Sequence, residues 1–299
     1  MEQLRGTGVA LVTPFKGRNI DFDALERIVE YNIEGGVEYL VSLGTTGEAV
    51  NLSEKECQRI LDFTVKTAAA RVPVVAGLFG DNNTHRLIQR LERYNLNGMA
   101  AVMSASPHYI KPNQEGIYRH YMEVIEESPL PMIIYNVPGR TSSNITAETT
   151  LRLARASEKF VAIKEASGNL LQASKIIKHR PDGFLVLSGD DPTALGLLAC
   201  GGEGVISVIA NAFPKRFSQM VRMALAGDFS AAAAIHAELA DVHDWLYIDG
   251  NPVGIKAALQ LMGFCAADVR LPLAPMSATN LERLRVELEK VTKGTLVEA

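Results

Sequence analysis

The chain has 299 residues, of which 47% are apolar and 21% are charged, and its formal net charge is −4. This length is enough for one large α/β domain or for two smaller ones. The 30 Lys and Arg residues against 34 Asp and Glu residues leave no strong positive field, which disfavours a nucleic acid or an anionic membrane as a partner.

Short apolar runs rich in β-branched residues recur along the first two thirds of the chain. Runs that are apolar on both faces are typical of buried parallel strands. In chain order, they predict eight strands at 8–14, 37–44, 72–77, 99–106, 131–136, 160–165, 184–189 and 204–208. Between the strands, helical periodicity predicts helices at 21–32, 53–70, 83–95, 114–127, 146–156 and 170–179, with Ser53 and Thr146 as N-caps.

The alternation of eight strands with helices predicts a (β/α)₈ TIM barrel. The alternative is an open doubly wound sheet, but the exit of the first strand, TPFKGRN, lacks the glycine fingerprint of a dinucleotide site. After about Pro214 the strand pattern stops and helical segments follow. We therefore predict a barrel over residues 1–225 and a C-terminal helical domain over 226–299.

The N-terminal segment is a short apolar run interrupted by Thr13 and Pro14, and it lacks the pattern of a secretory signal. No apolar stretch approaches the roughly 20 residues that a membrane span needs. The three cysteines form no CxxC pair and predict neither a disulfide framework nor a cysteine-rich zinc site. We expect a cytoplasmic protein.

Lys164 closes the apolar run FVAIK, at the end of a predicted strand where the loops of such barrels build their active sites. Taken alone, a lysine in this position more often emerges into solvent or pairs with a neighbour such as Glu165. An amine surrounded by apolar side chains is more readily neutral, and it can then attack a carbonyl and form a Schiff base.

Tyr135 ends the preceding strand. A tyrosine on a buried strand usually belongs to the core. Beside an imine-forming lysine, its phenol could also act as acid and base in the proton transfers. Thr45, Thr46 and Tyr109 supply further hydroxyls on neighbouring loops.

GTTGE, residues 44–48, is either a glycine turn capped by threonines or a cradle of N–H and O–H donors for a carboxylate. Arg140 is either a solvated surface charge or a second carboxylate ligand. The six histidines are scattered without an HExxH motif, so we predict no metal. Asp191, which precedes Pro192, is predicted to be a turn residue and a helix N-cap.

The motifs GTTGE, YNVPGRT, IKEASG, SGDD and GGEGVISV, in this order, resemble the dihydrodipicolinate synthase and N-acetylneuraminate lyase superfamily. These proteins are pyruvate-dependent class I aldolases built on a TIM barrel. The similarity runs from GTGVALVTPF to NPVGIKAAL near residue 258. With its arginine, the motif YNVPGRT resembles that of the dihydrodipicolinate synthase branch rather than that of the sialic acid branch.

The resemblance implies that Lys164 forms the Schiff base with pyruvate and that Tyr135 is the central acid and base. Thr45 and Tyr109 would complete the proton relay of Tyr135. In the family, the second tyrosine comes from a neighbouring subunit, so the resemblance implies an oligomer, namely a homotetramer built from two tight dimers.

The resemblance also implies the residues that bind the substrates. Thr46 would hold the pyruvate carboxylate, and the backbone of Ile206 would contact the imine region. Arg140 would bind the carboxylate of L-aspartate 4-semialdehyde. Gly189 and Asp190 match a segment near the site.

The implied reaction condenses pyruvate with L-aspartate 4-semialdehyde to 4-hydroxy-tetrahydrodipicolinate, the entry step to diaminopimelate and lysine. It needs no external cofactor, because the lysine imine acts as the electron sink. One alternative is another pyruvate-dependent aldolase, which cleaves N-acetylneuraminate or a 2-keto-3-deoxy sugar acid. Another is an inactive barrel that only binds a 2-oxo acid.

Overall fold

The computed structural model describes residues 2–297, and within this range the chain forms a closed barrel of parallel strands. The ten strands of the range are β1 Gly6–Ala10, β2 Phe15–Lys16, β3 Asn19–Ile20, β4 Tyr39–Ser42, β5 Val74–Ala76, β6 Ala101–Ala105, β7 Met132–Asn136, β8 Phe160–Glu165, β9 Leu185–Ser188 and β10 Gly204–Ser207. The barrel order is β1, β4, β5, β6, β7, β8, β9, β10 and back to β1. The TIM barrel predicted from the sequence is confirmed, and each of the eight predicted strands overlaps one barrel strand.

Helices follow most barrel strands and surround the barrel. The α-helices of the described range are α1 Phe22–Glu34, α2 Glu54–Ala68, α3 Thr84–Arg93, α4 Gln114–Glu127, α5 Pro138–Thr141, α6 Ala147–Ala156, α7 Leu170–His179, α8 Ala194–Ala199, α9 Pro214–Leu225, α10 Phe229–Tyr247, α11 Val253–Leu261 and α12 Ala278–Val297. All six predicted helices form. Ser53 makes its capping box with Glu56, and the Thr146 side chain accepts from the Thr149 N–H.

Two strands and two short α-helices were not predicted. The antiparallel hairpin of β2 and β3 interrupts the connection from β1 to α1. The helices α5 and α8 are four and six residues long, which is too short for a helical period to show in the sequence. All four elements fall within segments that connect predicted elements.

Two apolar clusters form the core, because successive side chains of a strand point to opposite faces. One cluster lies inside the barrel and includes Tyr39, Met103, Ile133, Tyr135, Ala162, Leu187 and Ile206. The other lies between the strands and the helices. Lys164 is two residues after Ala162 on β8, so its side chain is directed to the barrel interior.

The C-terminal helices pack against the barrel through α9 and α10. α10 contacts α9, α11 and α12, and α9 contacts β1. α9 ends at Leu225 and α10 begins at Phe229, and the division into two domains at residue 225 stays a prediction. None of the helices in residues 2–297 has both the length and the apolar character needed to cross a membrane.

Candidate active site

Lys164 and Tyr135 lie side by side at the carboxyl ends of β8 and β7. Their Cα atoms are partners in the parallel ladder, and Lys164 Nζ is 4.5 Å from the centre of the Tyr135 ring. Lys164 is 4% exposed and Tyr135 is 7% exposed. The structure therefore brings together the two residues predicted to carry the chemistry, in a buried position at the mouth of the barrel.

Glu165 does not neutralise Lys164, because adjacent side chains of a strand point to opposite faces. The Glu165 carboxylate accepts from Asn136 Nδ2 at 3.0 and 3.1 Å and from Gln172 Nε2 at 2.9 Å, on the outer side of the barrel. Within residues 2–297, the Lys164 amine has neither a carboxylate partner nor a hydrogen-bond acceptor. The structure therefore does not contain the alternative arrangement, in which Lys164 forms an ion pair with Glu165.

Two lysines are buried in the described part of the chain, and only one of them is unpaired. Lys256 is fully buried, but its Nζ donates to Glu48 Oε1 at 2.5 Å. The Glu48 carboxylate opposes the effect of burial on the pKa of Lys256 and favours the charged form of this amine, which is a poor nucleophile. Lys164 is thus the buried amine that is available to attack a carbonyl.

Gly189 leaves the space that the Lys164 side chain occupies. A Cβ atom at position 189 would lie 2.9 Å from both Cε and Cγ of Lys164 and 2.6 Å from the Cβ of Ala166. Real Cβ atoms essentially never come that close, so any larger residue would displace the lysine. This close packing explains why a glycine is needed beside Lys164.

Asp190 lies beside the site, but its side chain stabilises its own turn. The Asp190 carboxylate accepts from Thr193 Oγ1 at 2.6 Å, and its N–H donates to Ser188 Oγ at 3.2 Å. A role for Asp190 in substrate binding stays a prediction.

The prediction that Asp191 is a helix N-cap was wrong. Its carboxylate Oδ2 instead accepts from the N–H groups of Val208 and Ile209, both at 2.8 Å, and so joins the ends of β9 and β10. Burial raises the pKa of Asp191, and burial also lowers the pKa of the neighbouring His243 on α10. This contact spans distant parts of the sequence, so no local pattern could have indicated it.

The loop after β4, GTTGE, presents several donors at the same end of the barrel. Within residues 2–297, the backbone N–H groups of Thr45 and Thr46 have no acceptor, whereas those of Gly47 and Glu48 close turns onto Gly44 and Thr45. Free N–H groups in a tight turn form a site for an anion. The geometry favours the carboxylate cradle over a simple capped turn.

Thr46 is linked to Arg140 through Asn251, which the sequence interpretation did not identify. Asn251 Nδ2 donates to Thr46 Oγ1 at 3.0 Å, so the hydroxyl hydrogen of Thr46 remains free to donate to a ligand. Arg140, exposed on α5, donates from Nη2 to the Asn251 carbonyl oxygen at 3.4 Å. Two predicted carboxylate-binding residues are therefore held near each other by one asparagine.

Ile206 is fully buried in the interior of the barrel, and its Cα is the ladder partner of Gly8 on β1. Its predicted contact with the imine region through the backbone stays a prediction.

Tyr109 is a predicted site residue that lies on the surface of its own chain. Its side chain is 85% exposed, and its backbone has a left-handed φ of 66°. In the described chain, no hydrogen bond joins the hydroxyl of Tyr109 or of Thr45 to that of Tyr135. The proton relay stays a prediction that requires Tyr109 to act outside its own barrel.

No group of three or more His, Cys, Asp or Glu side chains in residues 2–297 is arranged to hold a metal ion.

The comparison with known proteins decides the family. The family model described as the dihydrodipicolinate synthetase family matches residues 3–291. The chain belongs to this family. A relative from Parabacteroides distasonis, named 4-hydroxy-tetrahydrodipicolinate synthase, is 46% identical over 290 residues, which are 97% of this chain and 97% of the relative.

Solved structures of the family have the same fold. A chloride-inhibited dihydrodipicolinate synthase from Acinetobacter baumannii, complexed with pyruvate, is 37% identical and has a TM-score of 0.93 over 97% of this chain and 99% of that chain. A structure described as a monomeric dihydrodipicolinate synthase variant is 37% identical and has a TM-score of 0.94 over 97% of each chain.

Proposed function

We propose that this protein condenses pyruvate with L-aspartate 4-semialdehyde to 4-hydroxy-tetrahydrodipicolinate and water, through a Schiff base on Lys164. One observation carries the proposal: a buried and unpaired amine lies against the ring of Tyr135 at the carboxyl end of the barrel. The names of its relatives support the same activity.

The first half of the reaction activates pyruvate. The Thr45 and Thr46 N–H groups and the Thr46 hydroxyl would hold the pyruvate carboxylate. Lys164 Nζ attacks the C2 carbonyl, and the resulting carbinolamine loses water to give the imine. Loss of a proton from C3 gives the enamine, with the Tyr135 hydroxyl transferring protons in these steps.

The second half forms the new carbon–carbon bond. The enamine C3 attacks the aldehyde carbon of the semialdehyde, whose carboxylate would be bound by Arg140. The amino group of the semialdehyde then attacks C2, which closes the ring and breaks the bond to Lys164. The amine is thereby restored, and the water lost at the imine step balances the reaction.

We expect Arg140→Ala to raise the KM for L-aspartate 4-semialdehyde by roughly 10- to 100-fold, because a charged hydrogen bond contributes about 1.5–3 kcal/mol. Steady-state kinetics would measure this change, and pyruvate binding should be largely unaffected. Arg119→Ala is the matched control, because Arg119 is an exposed arginine on α4. An equal rise in the KM values for pyruvate and for the semialdehyde would contradict the role of Arg140.

We also propose that Tyr109 completes the relay in a neighbouring subunit of a homotetramer. The exposure of Tyr109 on the surface of its own chain supports this arrangement. Tyr109→Phe should lower kcat by about 10²-fold, the lower end of the range for loss of a proton-transfer group, without changing the oligomer. Light scattering and steady-state kinetics on the same samples test it, and a fully active monomer would contradict the role of Tyr109.

A coupled assay with pyruvate and L-aspartate 4-semialdehyde tests the whole proposal by its turnover. Labelling of Lys164 by pyruvate without turnover would favour another aldolase of the superfamily, which the names of the relatives do not favour. Neither labelling nor turnover would favour a barrel that only binds a 2-oxo acid. We propose no external cofactor, and a cytoplasmic location stays a prediction.

A further inference from the structure

The loop that carries Thr45 and Thr46 has a left-handed residue at each end. Leu43 has a φ of 61° and Glu48 has a φ of 53°. Glycine adopts this conformation without a steric cost, whereas other residues adopt it rarely. Glu48 holds this conformation although glycine would adopt it more easily.

The Glu48 carboxylate is buried, and both of its oxygens accept hydrogen bonds. Glu48 is 2% exposed, and its Oε1 accepts from Lys256 Nζ at 2.5 Å. Its Oε2 accepts from the Arg270 N–H at 3.2 Å and from Asn51 Nδ2 at 3.3 Å. The carboxylate thus ties the loop to two segments of the C-terminal helical region.

Lys256 lies on α11 and is completely buried. Its Nζ also donates to the Asp268 carbonyl oxygen at 2.9 Å and lies 4.0 Å from the centre of the Phe15 ring. Burial lowers the pKa of Lys256, and Glu48 opposes this effect. A charge this deeply buried depends on its partner, so each residue of the pair fixes the position of the other.

Asn251 makes a second contact from the same C-terminal segment to the same loop. It lies five residues before Lys256, and its Nδ2 donates to Thr46 Oγ1 at 3.0 Å. The segment 251–256 therefore holds the loop at Thr46 and again at Glu48. The free N–H groups of Thr45 and Thr46 lie just before the Glu48 contact.

We propose that Glu48 and Lys256 are positioning residues for pyruvate: their ion pair holds the Thr45 and Thr46 N–H groups in the arrangement that binds the substrate carboxylate. The inference rests on the proposed function, because pyruvate is the ligand it invokes. The C-terminal helices then contribute to substrate binding without touching the substrate. A pair that served stability alone would leave pyruvate binding unchanged in any variant that folds.

The test measures the pyruvate concentration that gives half-maximal labelling of Lys164 when the imine is reduced with borohydride. The variants are Glu48→Gln, Lys256→Met and the double variant, which removes both charges and leaves no buried unpaired ion. We expect the half-maximal concentration and the KM for pyruvate to rise about 10-fold or more. The value of kcat at saturating pyruvate and the KM for the semialdehyde should change much less.

The matched control is the ion pair between Arg180 and Glu203, which lies at the amino end of the barrel, before β9 and β10. Arg180→Met and Glu203→Gln should lower the melting temperature without changing the half-maximal pyruvate concentration. Glu48→Asp keeps the charge pair but shortens the side chain by one carbon. If the neutral variants do not fold, Glu48→Asp provides a folded protein in which the loop is displaced. This variant should also raise the half-maximal pyruvate concentration.

The outcomes separate the two proposals. If the wild-type protein is not labelled at saturating pyruvate, the proposed function fails, and this inference fails with it. If the wild-type protein is labelled and the folded variants are labelled at the same pyruvate concentrations, only the positioning role is overturned.

Discussion

Replacing Lys164 by alanine should lower kcat roughly 1000-fold or more, because the variant loses the covalent intermediate that divides the condensation into easier steps. The Lys164 amine is buried and has neither a hydrogen-bond acceptor nor a carboxylate partner in the described part of the chain, so its removal should leave the fold intact. Steady-state kinetics and circular dichroism on the same sample would measure the two effects.

Lys159 provides the control for this substitution. It precedes β8 at the opposite end of the barrel, where its Nζ donates to the Ser128 carbonyl oxygen at 2.9 Å. Lys159→Ala should keep kcat close to that of the wild-type protein. A Lys164→Ala variant with nearly full turnover would contradict covalent catalysis by Lys164.

Replacing Tyr135 by phenylalanine should lower kcat by about 10²- to 10⁴-fold, the range for loss of a general acid and base. The ring remains, so its packing against Lys164, with Nζ 4.5 Å from the ring centre, should be kept. The loss should therefore fall on proton transfer rather than on folding. Pre-steady-state measurement of imine formation and of turnover would locate the slowed steps.

Tyr31→Phe is the matched control, because Tyr31 on α1 also has a partly buried hydroxyl, which donates to the Ala212 carbonyl oxygen at 2.9 Å. That variant should lose some stability and keep its kcat. If Tyr135→Phe retained full kcat, its hydroxyl would have no role in the proton transfers.

The barrel was predictable because parallel strands covered on both faces leave continuous apolar runs in the sequence. The strand that contains Lys164 is an example, since its predicted and observed bounds coincide at 160–165. The hairpin of β2 and β3 and the helices α5 and α8 were not predictable in the same way. Each of them is too short to display a period.

The candidate site was predictable where a residue ends a strand. Tyr135 and Lys164 lie one residue before the ends of adjacent strands, so their proximity follows from the parallel ladder. Glu48 and Lys256 are 208 residues apart, and their contact depends on how α11 packs against the barrel. Asp191 was misassigned because its partners, Val208 and Ile209, follow the next barrel strand and do not belong to its own turn.

Reduction with borohydride in the presence of saturating pyruvate, followed by peptide mass spectrometry, tests the central claim most directly. We predict a stable pyruvate-derived adduct on Lys164 and none on Lys256, the other buried lysine in the described part of the chain, because Glu48 keeps the Lys256 amine paired. An unmodified Lys164, or an adduct on Lys256 instead, would contradict the account.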